Sequence, residues 1–226
     1  TMPPSVISTI PANGATSISA NSVITVTFTE RVINAPSSIL LKQGDAIIDS
    51  TVAYDDSTKT ATLTPSVSLS EYTTYTIIVT TGIRDLAANP MASSYTFSFT
   101  TADLTKPSST ISTPSNGSIM GNAVTYTIKG TALDTGSGVS KVEVSINGGP
   151  WNAATGTTSW TYAWMLSSDG TYTIKNKATD VAGNIETVAA GITVTVDNAA
   201  PQTTATPATG IYLTAQSVVL SSDETS

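Results

Sequence analysis

The chain has 226 residues and a net charge of −7; 39% of its residues are hydrophobic and only 11% are charged. It contains no cysteine and no histidine, which removes Cys/His zinc sites, thiol nucleophiles and every catalytic triad that needs an imidazole base. An acidic surface repels phosphate backbones, so nucleic acid is not an expected partner, and no stretch is long and apolar enough to predict membrane insertion.

Thr, Val, Ile and Tyr favour strands, and no long window places apolar residues at helical spacing. In chain order, the pattern predicts strands near 4–10, 22–30, 37–43, 46–55, 59–65, 72–81 and 93–101. Gln43-Gly44-Asp45 and Asp55-Asp56-Ser57 are the expected hairpin turns. A second set follows near 107–113, 122–133, 139–147, 158–166, 171–179 and 188–197, with Asn147-Gly148-Gly149-Pro150 as its strongest turn signal.

Three segments share one punctuation mark. Pro11-Ala12-Asn13-Gly14, Pro114-Ser115-Asn116-Gly117 and Pro207-Ala208-Thr209-Gly210 each close a Pro-led extended stretch and precede a strand-like run. A second mark recurs further on. Tyr75-Thr76-Ile77-Ile78-Val79 leads to Asp85-Leu86-Ala87-Ala88-Asn89, and Tyr172 to Ala178 leads to Asp180-Val181-Ala182-Gly183-Asn184. Repeats this long mean an array of domains. Leu69 precedes Tyr75, and Leu166 precedes Tyr172, by the same spacing, the pattern of a tyrosine corner. The fold class is therefore all-β, as tandem Ig-like antiparallel β-sandwiches over 1–103 and 104–199. Residues 200–226 read as the truncated start, strands A and B, of a third β-sandwich.

These motifs carry a family resemblance. IPANGATSISANSVITVTFTERV, TATLTPSVSLSEYTTYTIIVTTGIRDLAANPMA and YTFSFTTAD resemble the bacterial Ig-like domain of S-layer and other surface proteins, over nearly all of residues 3–103. The likeness departs at Leu69-Ser70-Glu71-Tyr72, where such domains often carry Gly, and at Ala88, where Gly is usual. GSGVSKVEVSINGGPW, DGTYTIKNKATDVAGN and ITVTVDNAAP look like Ig-like repeats of large exported bacterial proteins and adhesins. TTATPATGIYLTAQSVVLSSDET resembles the start of the C-terminal β-sandwich module of chitobiase-type enzymes. The resemblance implies a bacterial cell-surface or secreted protein in which such modules are structural spacers, stalks or adhesion and accessory domains, without catalysis. No leader peptide is visible, so the targeting segments of an exported parent are expected elsewhere.

Two sets of residues are candidate sites. In a sandwich the B–C and F–G loops share an end with the incoming chain. That geometry places Asp134, Asp180 and linker Asp103 together in the second module, Glu30 and Asp85 in the first, and Asp223 with linker Asp197 at the third. Carboxylates recurring at module joints suit a hard cation such as calcium, with Asn89 or Asn184 and backbone carbonyls filling the shell. The competing reading is that Asp85 and Asp180 cap their own turns. No other cofactor is expected. Trp160, Tyr162 and Trp164 share one strand face, which either stacks on sugars or fills a core; Trp151, on the Gly-Gly-Pro-Trp turn, is the candidate for exposure. The Ser and Thr residues lack an obvious base and no pair of carboxylates is gathered in a cleft, so no enzyme activity is expected. Expected partners are neighbouring Ig-like modules of the same chain, with cell-surface or polysaccharide ligands as further possibilities, and the expected state is a monomer.

Overall fold

Alternation of β-branched and threonine residues builds both sandwiches, because successive strand side chains point to opposite faces. The computed structural model describes residues 2–121, 124–166 and 168–223. Asn122 and Ala123, at the start of the strand expected over 122–133, and residues 224–226 of the expected third module lie outside the described residues.

The first sandwich opens with β1 (Val6–Ile10), β2 (Ala15–Ile18), β3 (Ile24–Phe28), β4 (Val32–Ile33) and a helical turn α1 (Ala35–Ser38). It continues with β5 (Ile39–Gln43), β6 (Ala46–Ile48), β7 (Ser50–Asp55), β8 (Thr60–Pro65), β9 (Thr74–Val79), β10 (Arg84–Asp85) and β11 (Tyr95–Thr101). One sheet runs β1-β3-β8-β7 and the other β2-β11-β9-β5-β6. Ile24, Val26 and Phe28 alternate inward on β3 and are fully buried, while Thr25 and Thr27 face outward. Ile77, Val79, Phe97 and Phe99 on the other sheet close the same core. At about 25 cal/mol per Å² of apolar surface, each such side chain contributes roughly 1.5–3 kcal/mol on burial.

The second sandwich repeats the plan with β12 (Ser108–Thr113), β13 (Ile119–Met120), β14 (Thr125–Leu133), β15 (Val139–Ile146) and β16 (Asn152–Ala153). It is completed by β17 (Thr155–Gly156), β18 (Ser159–Met165), β19 (Gly170–Asp180) and β20 (Ile192–Val196). Its sheets run β12-β14-β18-β17 and β13-β20-β19-β15-β16. Ile128, Val142, Val144, Trp160, Ile174, Val194 and Val196 are its fully buried residues of largest consequence. β21 (Thr203–Thr206) and β22 (Val219–Ser222) form a separate antiparallel hairpin, Thr203 opposite Ser222 and Thr206 opposite Val219, with every strand residue exposed.

Several elements depart from the sequence pattern, each for a local reason. β2 and β13 escape a periodicity search because they are short; both pair in parallel with the last strand of their sandwich. The strand expected from 37 begins as a helical turn, with Pro36 in its first turn where a missing N–H costs nothing. The strand expected over 188–197 starts at Ile192, after Gly191 at φ +88°, where a Cβ would lie 2.3 Å from the Ile174 carbonyl oxygen. The Asn147-Gly148 turn has both residues at positive φ, as a type I′ hairpin turn requires.

Both tyrosine corners are present. The Tyr75 hydroxyl accepts a 2.8 Å hydrogen bond from the Ser70 amide, and the Tyr172 hydroxyl donates one of 2.7 Å to the Ser168 carbonyl. Each fastens the loop before its strand to the edge of its core, with Leu69 buried beside the first and Leu166 half-buried beside the second.

The backbone divides into two compact units. The first holds residues Thr1–Pro107 together with Leu133–Ser140 and Thr179–Ile185; the second holds Ser108–Ala132, Lys141–Ala178 and Glu186–Ser226.

Candidate functional site

The Asp-x-x-x-Asn turn is built identically twice. The Asp85 carboxylate accepts the Asn89 backbone amide at 2.8 Å and its side-chain amide at 2.7 Å, and the Asp85 amide donates back to the Asn89 carbonyl at 3.0 Å. Asp180 and Asn184 make the same three bonds at 2.7, 2.7 and 3.1 Å. Both aspartates are 2% exposed, so these donors supply what burial removes from water. The turn-capping role holds for both.

The residues around the two turns differ. In the first unit, Asp180 meets Asp134, from the loop after β14, and Asp103, from the segment after β11. One ligand atom from each lies within 4.8 Å of the other two. Asp103 is 6% exposed, and its oxygens accept the Thr105 amide at 3.1 Å and the Ser137 amide at 2.6 Å. Burial works to raise its carboxyl, but the hydroxyl and amide of Ser137 and the amide of Thr105 outweigh burial and hold it below the usual carboxylate range. Asn184 donates a further bond, 3.1 Å, to the Asp103 carbonyl. Gly136 presses on the same carboxylate, where a Cβ would sit 2.3 Å from its oxygen. Asp134 uses Oδ2 for the Gly136 and Gly138 amides, at 3.0 and 2.7 Å. Its Oδ1 is buried with no hydrogen-bond partner.

Three carboxylates this close repel one another. Two unit charges 4.8 Å apart cost roughly 3.5 kcal/mol at an effective dielectric of about 20. Protonating Asp103 is opposed by the donors aimed at it, and none of the ion pairs found among the described residues reaches the trio. The donor set is all oxygen and all hard, which fits calcium and does not fit a soft metal.

The remaining acidic candidates do not join this group. Asp85 and half-buried Glu30 line a separate hollow with Arg31 and Lys59. Asp197 accepts the Ala199 amide at 3.0 Å, and Asp223 accepts the Gln202 amide at 2.6 Å, each as a local turn bond. No signal in the sequence separates Asp103, Asp134 and Asp180 from these four, because the end-of-sandwich geometry places all seven at module joints.

The aromatic candidates resolve against a stacking strip. Trp160 is 0% and Trp164 7% exposed, so both belong to the core of the second sandwich, where Trp164 packs edge-on against Tyr172 at 5.1 Å. Trp160 stands over Gly130, which leaves no room for a Cβ there. Half-buried Trp151 carries Lys177 Nζ 4.4 Å from its ring centroid, so its face is taken by a cation. Residues missed by the sequence reading include Glu186, whose carboxylate accepts the Ser109 amide and hydroxyl and the Ala178 amide, tying β12 to β19.

Fold and site together define Ig-like β-sandwich modules. Residues 1–101 match the family model of the bacterial Ig-like domain, and residues 107–175 match that of a bacterial Ig domain. No curated protein matches the sequence. Among solved structures, the chain is similar to the CbhA fibronectin(III)-like modules of Clostridium thermocellum, at 15% identity, covering 86% of this chain and 93% of that one, with a TM-score of 0.39. It is also similar to the N-terminal part of the bacterial S-layer protein SbsC, at 17% identity, covering 87% of this chain and 45% of that one, with a TM-score of 0.35.

Proposed function

We propose that the chain is a non-catalytic structural spacer, a run of Ig-like modules within a bacterial cell-surface or secreted multidomain protein. The observation that carries this reading is the pair of separately closed cores, one per sandwich, in stretches that match bacterial Ig-like families. A chain without histidine or cysteine also lacks the commonest bases and nucleophiles. A spacer must bear load module by module. Pulled from its ends in single-molecule force spectroscopy, the protein should unfold in two discrete events, each releasing about 350 Å of contour for a module of about 100 residues. One merged event, or gradual extension without a force peak, would sink the reading.

A second reading is favoured by the buried, unpartnered Asp134 Oδ1: the trio Asp103, Asp134 and Asp180 binds a calcium ion. The ion would supply the positive charge that three clustered carboxylates call for, and the three residues would hold it through side-chain oxygens. Extracellular calcium modules bind in roughly the 10⁻⁴–10⁻³ M range. Calcium at ten times its Kd then stabilises the folded state by about 1.4 kcal/mol. Thermal melts in millimolar calcium and in excess chelator read that difference directly. Superimposable melts would remove calcium from the account and leave the spacer reading intact.

A further inference from the structure

The first unit also contains a hollow of about 460 Å³ that neither reading uses. Its walls carry the hydroxyls of Ser17, Thr74, Thr100 from β11 and Ser137 from the loop after β14, beside the apolar side chains of Val181 and Ala182. Tyr72 lines it with a ring that is 50% exposed, and the Asp103 carboxylate lines it from the side. Two of these residues, Ser17 at φ +56° and Tyr72 at φ +45°, hold the left-handed backbone conformation that side-chain-bearing residues rarely adopt. The Tyr72 amide is bonded to the Ala102 carbonyl at 3.0 Å, which fixes the backbone that carries the ring.

We propose that this hollow binds a neutral sugar ring, with Tyr72 as the stacking face and the hydroxyls of Ser17, Thr74 and Thr100 as its hydrogen-bonding partners. The chemistry selects among ligands. A fixed carboxylate in a chain of net charge −7 rejects phosphates and carboxylates. The Thr74 and Thr100 hydroxyls are bonded to each other at 2.8 Å and the Ser137 hydroxyl accepts the Ala182 amide at 3.0 Å, and a hydroxyl has capacity for further hydrogen bonds that a wholly apolar ligand would not use. A pyranose offers what remains: C–H groups on one face for the tyrosine, and hydroxyls that both donate and accept. The volume is within the range of small-molecule sites.

The site shares Asp103 with the carboxylate trio, so the test must separate the two. Backbone amide NMR spectra of the whole chain would be followed during titration with glucose, mannose, galactose and N-acetylglucosamine, once with chelator and once with calcium. The expected result is saturable shifts confined to the Ser17, Tyr72, Thr100 and Ser137 neighbourhoods, in chelator as well as in calcium. Tyr72→Asn removes the ring while keeping a residue that tolerates the left-handed backbone, and it should weaken binding at least ~10-fold. Trp151→Ala, at a residue that does not line the hollow, should leave it unchanged. Absence of shifts with all four sugars, shifts that survive Tyr72→Asn at full affinity, or binding seen only in calcium would each overturn the proposal. None of these outcomes bears on the spacer reading.

Discussion

Replacing Asp134 by Asn should reverse its effect on stability with the presence of calcium. Asn retains an acceptor oxygen for the Gly136 and Gly138 amides, now held at 3.0 and 2.7 Å by Oδ2, so the loop keeps its bonds. The unpartnered Oδ1 becomes an amide that can donate to its neighbours. Removing one charge from three removes two of three repulsions, each roughly 3.5 kcal/mol at an effective dielectric of about 20 for groups within 4.8 Å. Asp134 is only half-buried, so solvent and salt screen much of this, and a net gain of about 1–2 kcal/mol in chelator is expected. For a domain of this size that is a rise in Tm of about 4–8 °C per kcal/mol. In millimolar calcium the ranking inverts, because the natural chain gains ion binding that the variant has lost. Differential scanning calorimetry in both conditions measures the four Tm values. A variant less stable than the natural chain in chelator would refute the repulsion argument. An equal difference in both conditions would refute the ion.

Ala88 holds φ +67° where the second turn has Gly183, so Ala88→Gly should stabilise the first sandwich by about 0.5–1 kcal/mol, and Gly183→Ala should destabilise the second by a similar amount; urea midpoints measure both. Tyr75→Phe leaves the Ser70 amide without its acceptor and should cost about 1–3 kcal/mol, while Tyr172→Phe, at a more exposed corner, should cost less than about 1 kcal/mol by the same urea assay. The carboxyl of Asp103 lies below its ordinary value when folded. Its contribution is therefore fully present above the unfolded value of about 4 and is lost as pH falls through the folded one. Asp103→Asn should flatten the acid limb of the stability profile; an unchanged limb would show that Asp103 carries none of it.

The strand core was legible because period-2 alternation leaves its mark directly on the sequence. Ile24, Val26 and Phe28, and Ile128 on β14, lie where alternation puts them, and the Tyr-led strands carry their corners as the Leu–Tyr spacing predicts. What was lost has a physical cause. A strand of two residues such as Ile119–Met120 has no period to detect; it exists because a neighbouring strand offers unpaired backbone groups. The Trp160–Trp164 face was ambiguous for the opposite reason. Alternation states that the two share a face and does not state which face is covered; that depends on the other sheet. For the acidic residues, the sequence supplied seven candidates and the sandwich geometry, and only the packed loops separate three of them from the rest.

The paired turns show how far a repeated motif determines chemistry. Asp85 and Asp180 occupy the same position in the same three-bond clip with Asn89 and Asn184, and each is buried to the same degree. The clip satisfies the aspartate locally, which is sufficient reason for the motif in both modules whatever else is nearby. Among the described residues, only beside Asp180 do two further segments contribute carboxylates, Asp103 held by Ser137 and Asp134 held by Gly136 and Gly138. Those three donors belong to one short loop, residues 136–138, and Gly136 leaves the space in which the Asp103 carboxylate lies. The first turn shares its hollow with Arg31, which is paired with Asp56, and with Lys59, whose ammonium donates to the Thr29 carbonyl at 3.0 Å. The turn is therefore a property of the fold, and the concentration of negative charge is a property of the loop that precedes β15.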